Sequence, residues 1–450
     1  MSGKDKVDEK TAATLAMETE NVDHAEGTSK VKFVFGMLKK LVGVKDLSSM
    51  RLSLPASLME PESNLEFWNY MDRPDYFVTI PDGEGPLERM LRVIRWWYSK
   101  DTKWKDQRIR KPYNSILGER FLCWWDVPLN DISPSVEPRS STSTDQTNTD
   151  QESEKTLVDD TPLKVTCITE QISHHPPVSA YYYECKEKGI IGRGVDHISA
   201  RFTGTNIKVG PGAQNHGIYI TLTSLDDEEY NIQHPWASVT GWLSGSPYVV
   251  VGESAVITCP KTGLKAVLEY KEESMFGKAK FAIEGKIFKY DYEADKLYTD
   301  KERKEKEKLS KTKDKDVVCR LYGQWNGQIF CVKTTQDSDA KPHLLFDMHT
   351  STPAKKQTLT LEDQHPLESR RIWEPVTSAL LAKDFTLATN EKRRIEDAQR
   401  KLAAERAQRD EDFVSQYFEF KGDRAGRPGP PVDMNRGKPF LKEGKQFVCK

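Results

Sequence analysis

Between Phe121 and about Val332 the chain alternates short apolar runs with turn residues. Phe121–Trp125, Leu163–Thr169, Ser179–Tyr183 and His216–Leu222 are rich in β-branched and aromatic side chains. So are Tyr248–Gly252, Leu264–Tyr270, Phe281–Phe288 and Gln328–Val332. Gly, Pro, Asn and Asp separate them, the pattern of successive antiparallel strands. So many strands in one stretch predict a large sheet or barrel, because closure hides strand edges and can enclose a cavity.

The flanks differ. Residues 1–30 are polar and read as a disordered segment. Val34, Met37, Leu38 and Leu41 then recur at helical spacing among Lys32, Lys39 and Lys40. Three readings fit this stretch: an interfacial helix, a lid over a pocket, or a plain helix packed on the core. Leu65–Tyr70 and Leu87–Tyr98 read as helices, the second with an apolar stripe of Leu87, Met90, Leu91, Ile94 and Trp97. Residues 134–161 are rich in Ser, Thr, Asp and Glu and read as a disordered insertion. Lys301–Lys315 reads as a solvated charge run. From about Pro375 to Phe413 the pattern is helical, and Glu391–Asp410 reads as a charged helix with Ala, Leu and Ile inward. The segment 416–450 reads as a loosely ordered tail.

Within the β-rich stretch stands Glu170-Gln171-Ile172-Ser173-His174-His175-Pro176-Pro177. Proline removes an N–H donor and fixes φ, which predicts that the pair sits beside a sheet rather than within its ladder. Adjacent side chains in an extended chain point to opposite faces, and a kink at the prolines could bring both imidazoles to one rim. Two imidazoles there can donate hydrogen bonds to an anionic head group. The plainer reading has one histidine packed and the other facing water.

This run resembles the signature of the oxysterol-binding protein family, Glu-Gln-Val-Ser-His-His-Pro-Pro, and differs only at Ile172. Lys111-Pro112-Tyr113-Asn114-Ser115-Ile116-Leu117-Gly118-Glu119 resembles a second family segment, with Ser115 in place of its proline. Lys392, Glu396 and Arg400, at i, i+4 and i+8, resemble a third. Read alone, the last three are a salt-bridge ladder on an exposed helix. Gly323-Gln324-Trp325-Asn326-Gly327, the segment from Gln364 to Arg370 with Trp373, and Asp46-Leu47-Ser48-Ser49-Met50 are also similar to family sequences. His365 reads as structural. The resemblance runs from about residue 31 to about residue 415.

What the resemblance implies is specific. The fold is mainly β with α: a large incomplete antiparallel β-barrel around a hydrophobic tunnel, with an N-terminal lid and a C-terminal helical subdomain. The lid spans about residues 31–50 and includes Val34, Met37, Leu38, Leu41, Leu47 and Met50. The partners are phosphatidylinositol 4-phosphate, a sterol or phosphatidylserine, and membrane surfaces met peripherally and reversibly. Lys111, Asn114, His174, His175, Lys392, Glu396 and Arg400 become the head-group residues. The implied activity is lipid binding and exchange between membranes in the cytoplasm, by a short member with a single lipid-binding domain. The alternatives are a lipid sensor or scaffold that does not transfer, and a metal-dependent hydrolase built on Glu170, His174, His175 or His197.

Composition narrows the classes. The net charge of −2 over 450 residues gives no global attraction to nucleic acid. The 7 cysteines are scattered without a Cys-x-x-Cys pair, which fits free thiols in a reducing compartment. No signal peptide or apolar run long enough to span a bilayer is visible, and no nucleotide loop or serine-hydrolase elbow occurs. No cofactor is expected, and the chain is expected to be a monomer.

Overall fold

The computed structural model describes residues 59–105, 111–129, 161–203, 206–241, 248–272, 280–334 and 341–418, with a two-stranded ladder at Phe440–Lys442 and Gln446–Val448. The expected lid and the insertion up to residue 160 lie outside these residues, as does most of the expected tail. Strand β1 (Met59–Ser63) leads into helices α1 (Asn64–Phe67), α2 (Pro74–Val78) and α3 (Pro86–Ser99). Strand β2 (Lys111–Tyr113) pairs in parallel with β1.

The large sheet then begins. Its strands are β3 (Arg120–Val127), β4 (Leu163–His174), β5 (Pro177–Cys185), β6 (Ile190–Phe202), β7 (Ile207–Pro211), β8 (Ile218–Leu222) and β9 (Glu228–Gln233). Next come β10 (Trp236–Thr240), β11 (Tyr248–Cys259), β12 (Leu264–Tyr270) and β13 (Ala282–Lys289). Helices α4 (Tyr292–Lys296) and α5 (Asp300–Lys306) precede β14 (Val317–Gln324), β15 (Gln328–Lys333) and β16 (His343–Asp347). Helices α6 (Ser369–Leu381) and α7 (Phe385–Gln408) follow. The 14 strands β3 to β16 form one sheet, ordered from β16 through β10, then β7 to β3, with β8 and β9 bridging β6 and β11. Every pairing within this sheet is antiparallel. Among the described residues β3 and β16 do not pair with each other, so the barrel is incompletely closed. The chain at 357–368 covers part of the β3 edge, pairing Gln357 with Trp124 and Glu368 with Arg120.

The α3 stripe packs as its periodicity predicts: Met90, Leu91, Ile94 and Trp97 are buried against the sheet's inner face. Three expectations need correction. Strand β11 runs on to Cys259 rather than stopping at Gly252; Glu253 takes a left-handed φ of 64° and the ladder continues past it. Helix α6 starts at Ser369 and carries Pro375 inside it. The Lys301–Lys315 run is not simply solvated. Thr299 and Glu302 form a capping box for α5, Leu309 is buried, and Glu307 with Asp295 holds the buried Lys265 ammonium.

Candidate functional site

The His-His-Pro-Pro run is the turn of the β4–β5 hairpin. His174 pairs with Pro177 in register, so the motif closes the ladder rather than lying beside it. The peptide between His175 and Pro176 is cis, and Ser173 Oγ donates to the Pro176 carbonyl at 2.7 Å. The two imidazoles meet edge-on with centroids 4.6 Å apart. His174 is half-buried and His175 is exposed. Both the shared rim and the plainer packed-and-exposed reading describe part of this arrangement.

Residues 111–119 lie against the end of β4. Gly118 N–H donates to the Gln171 carbonyl at 2.9 Å, and Gln171 N–H to the Glu119 carbonyl at 2.8 Å. His174 Nδ1 is 2.9 Å from the Ser115 carbonyl. A carbonyl only accepts, so Nδ1 carries the proton. Asn114 is half-buried in the same loop.

A buried carboxylate organises this loop. Glu119 accepts from the Ser63 hydroxyl, from Ser369 Oγ at 2.7 Å, from Ile116 N–H at 2.9 Å and from Trp373 Nε1 at 3.0 Å. Burial raises its pKa, and those four donors oppose the shift. Gly118 has φ 78°, and a Cβ there would sit 3.1 Å from the Phe413 ring, so glycine lets that ring approach.

The third segment arrives on α7. Tyr113 stacks on Trp373 of α6 with centroids 4.7 Å apart, and its hydroxyl is 2.9 Å from Thr377 Oγ1. Ile395 and Ala388 of α7 are buried in the same apolar cluster as Tyr113 and Trp373. This fixes the face that carries Lys392 and Glu396 beside β2. Lys392 Nζ is 2.7 Å from Glu396 Oε1. Lys111 is exposed, yet desolvation lowers its pKa; Lys392 lowers it further and Glu396 opposes. Two ammoniums brought close together favour an anion between them.

Arg400 lies two turns on, about 12 Å along the helix axis. Its guanidinium pairs with Asp397 rather than with Glu396. The inward apolar side expected for α7 also ends early, for Leu402 is 45% exposed. The structure thus ties Lys111, Asn114, His174 and His175 through one loop and brings Lys392 and Glu396 up to Lys111. Arg400 stands apart on its own pair. His365 serves a turn, its Nδ1 accepting from Leu367 N–H at 3.1 Å.

A second anchoring carboxylate lies in the signature itself. Glu170 is buried and accepts from Ser415 Oγ at 2.6 Å, Gln416 N–H at 2.9 Å and Tyr417 N–H at 3.0 Å. It straps the segment after α7 onto the outer face of β4, where Tyr417 and Phe418 pack on Leu122 and Ile168. Sequence reasoning missed the roles of Glu119 and Glu170. Their only signal was a glutamate inside an otherwise apolar strand or turn.

The wall below the rim is apolar. On β6, Ile190 faces the main core, and Gly192 and Gly194 lie against Tyr183 and Tyr181. Alternation places Ile198, Ala200 and Phe202 on that inner face. Register adds Pro211, Val209 and Ile207 of β7, Ala237 and Val239 of β10, and Val251 and Val249 of β11. The opposite face carries Arg201, Lys208, Trp236, Ser238 and Thr240. Most of the inner residues are only half-buried, so side chains of the described residues do not pack this face shut. The wall starts where the hairpin ends: His197 pairs with Val178, and Ile198 is the next residue.

These features agree with what comparison shows. Residues 33–299 match the family model described as oxysterol-binding protein. The chain belongs to the oxysterol-binding protein family. It is 33% identical to oxysterol-binding protein-like protein 1 of Schizosaccharomyces pombe, covering 91% of this chain and 90% of that protein. It is 30% identical to human oxysterol-binding protein-related protein 9 over 83% of this chain, which spans 45% of that longer relative. Two solved structures share the fold. The Osh1 ORD domain in complex with ergosterol gives a TM-score of 0.62 at 18% identity, covering 89% of this chain and 86% of that one. The Osh3 ORD in complex with PI(4)P from Saccharomyces cerevisiae gives 0.56 at 18% identity, covering 86% and 87%. The protein is therefore an oxysterol-binding-protein-related lipid-binding domain.

Among the described residues no three His, Cys, Asp or Glu side chains gather to hold a metal ion, and no helix is long and apolar enough to cross a membrane. Cys123, Cys167, Cys185, Cys259, Cys319 and Cys331 are buried free thiols.

Proposed function

We infer that this protein lifts single lipids out of membranes and exchanges phosphatidylinositol 4-phosphate for a sterol or another lipid in one shared tunnel. The observation that carries this reading is the apolar wall of β6, β7, β10 and β11, which the described residues leave open and which starts where the histidine-bearing hairpin ends. Extracting a lipid exposes hydrocarbon to water at about 0.8 kcal/mol per CH₂, and an apolar wall offsets that cost. One related structure holds ergosterol and another holds PI(4)P, which supports each cargo class separately.

At the rim, Lys111, Lys392, His174 and His175 hold the phosphorylated inositol by charge-assisted hydrogen bonds, with Asn114 supplying a neutral contact. Glu396 orients Lys392. Arg400 joins by exchanging Asp397 for phosphate; an exposed pair of that kind is worth under about 1 kcal/mol, so phosphate displaces it readily. A sterol has no phosphate, lies along the wall and makes no use of the rim. Two cargoes in one tunnel compete, and competition gives exchange a direction.

The test is the double variant His174→Ala with His175→Ala. Extraction of the phosphoinositide should be lost while sterol uptake persists. Equal loss of both by folded protein would remove the head-group role.

A further inference from the structure

The inner face of β6 carries one charged side chain, Asp196, between Gly194 under the Tyr181 ring and Ile198 at the start of the apolar wall. Its Oδ1 accepts from the Tyr70 hydroxyl at 2.8 Å. Tyr70 is held in the left-handed region at φ 54°. The groups that face Asp196 are phenols: Tyr70 from the turn after α1, and Tyr181 and Tyr183 from β5. The Tyr70 ring also lies 5.6 Å from the His234 ring, which is 5.4 Å from Trp97; Lys100 Nζ lies over the Trp97 ring, 3.8 Å from its centroid. Among the described residues no cation pairs with this carboxyl.

We propose that Asp196 sets the pH at which the tunnel takes up uncharged lipid, because a cargo lying on the wall must cover this carboxyl and can do so cheaply only when it is protonated. The proposal rests on the tunnel reading above. Covering a carboxylate with hydrocarbon is costly, whereas a protonated carboxyl bonded to Tyr70 is a modest polar group. Burial pushes the Asp196 pKa up to about 7, against the Tyr70 hydrogen bond, which lowers it. The aromatic neighbours titrate outside that range. Burial lowers His234 to about 3 and raises Tyr70, Tyr181 and Tyr183 well above the usual phenol range. Desolvation lowers Lys100, with Asp101 opposing. The sign follows: below the Asp196 titration uptake is tight, and above it uptake weakens.

Sterol is the right probe, because it carries no charge and bypasses the histidine rim. Uptake of a fluorescent sterol from phosphatidylcholine vesicles is measured between pH 5.5 and 8.5. Wild-type affinity should fall as pH rises through about 7, by up to about tenfold per pH unit for a single proton. Asp196→Asn should keep the low-pH affinity throughout. Tyr70→Phe, which removes the bond favouring the carboxylate, should move the wild-type midpoint upward, and this keeps the test open where Asp196→Asn misfolds. A flat wild-type profile, an unchanged slope in Asp196→Asn, or an unmoved midpoint in Tyr70→Phe overturns the proposal alone. Absence of sterol uptake at every pH by folded wild-type protein overturns the tunnel reading and this proposal with it.

Discussion

His174 Nδ1 sits 2.9 Å from the backbone carbonyl of Ser115, and this contact joins two segments 59 residues apart in sequence. One segment brings the histidines of the β4–β5 turn. The other carries Lys111 and Asn114 and rests on Glu119. A rim made of separate loops is otherwise free to drift, and phosphate recognition tolerates little drift.

Glu119 should therefore behave as a keystone. Its Oε2 faces two obligate donors, Ile116 N–H and Trp373 Nε1, while Oε1 faces two hydroxyls that can turn to accept. Glu119→Gln, with its amide nitrogen toward the serines, should be tolerated within about 1 kcal/mol. Glu119→Leu leaves the donors buried without partners and should cost about 3 kcal/mol or more. Because burial raises the Glu119 pKa, its stabilising contribution is present below the unfolded value and lost as pH rises through the folded one. Glu119→Gln should accordingly compare best with wild type near neutrality. Chemical denaturation at two pH values checks both points.

Glu170 should govern the strap. Glu170→Ala removes the acceptor for Ser415 Oγ, Gln416 N–H and Tyr417 N–H, and Tyr417 and Phe418 should leave the surface of β4. Limited proteolysis should cut after α7 at least tenfold faster, with stability down by about 2–3 kcal/mol. Unchanged cleavage would assign the strap's hold to its aromatic residues.

The rim cations should differ in weight. Lys111→Ala and Lys392→Ala should each weaken phosphoinositide extraction by about tenfold or more, as expected for a desolvated charge-assisted bond. Asp397→Asn should strengthen it a few-fold by releasing Arg400, and Arg400→Ala should cancel that gain. Extraction from vesicles of fixed phosphoinositide content reads all four.

The wall should matter to every cargo alike. Val239→Asp or Val209→Asp places a carboxylate on the apolar face and should reduce retention of phosphoinositide and sterol together. Ser238→Asp, on the opposite face of the same strand, should leave retention near wild type. Loss of only one cargo would show that the two do not share this wall.

Strand positions were legible because period-2 patterning is local, whereas the His-His-Pro-Pro run, expected beside the ladder, closes it. The β12 range, Leu264–Tyr270, is the range the pattern predicts. The apolar wall was not legible. Ala237 and Val239 look unremarkable in sequence, and only register sets them beside Val209 and Val251. Glu119 was read as part of a motif without a role, and Glu170 only as a residue of the hydrolase alternative, since a buried carboxylate is recognisable only once its donors converge from distant segments. Arg400 matched by spacing, but spacing does not tell which acid a flexible guanidinium chooses, and it chose Asp397. The reading of Pro375 as a helix start failed because proline is also tolerated inside a helix that is packed on one side.

The central claim is exchange through one tunnel. The most direct measurement is extraction from liposomes bearing labelled phosphatidylinositol 4-phosphate, sterol or phosphatidylserine, each in competition with the others. The account predicts that the phosphoinositide is extracted at one molecule per protein and is displaced by one of the other two. Folded protein that extracts none of them, or that holds two at once without competition, would contradict it.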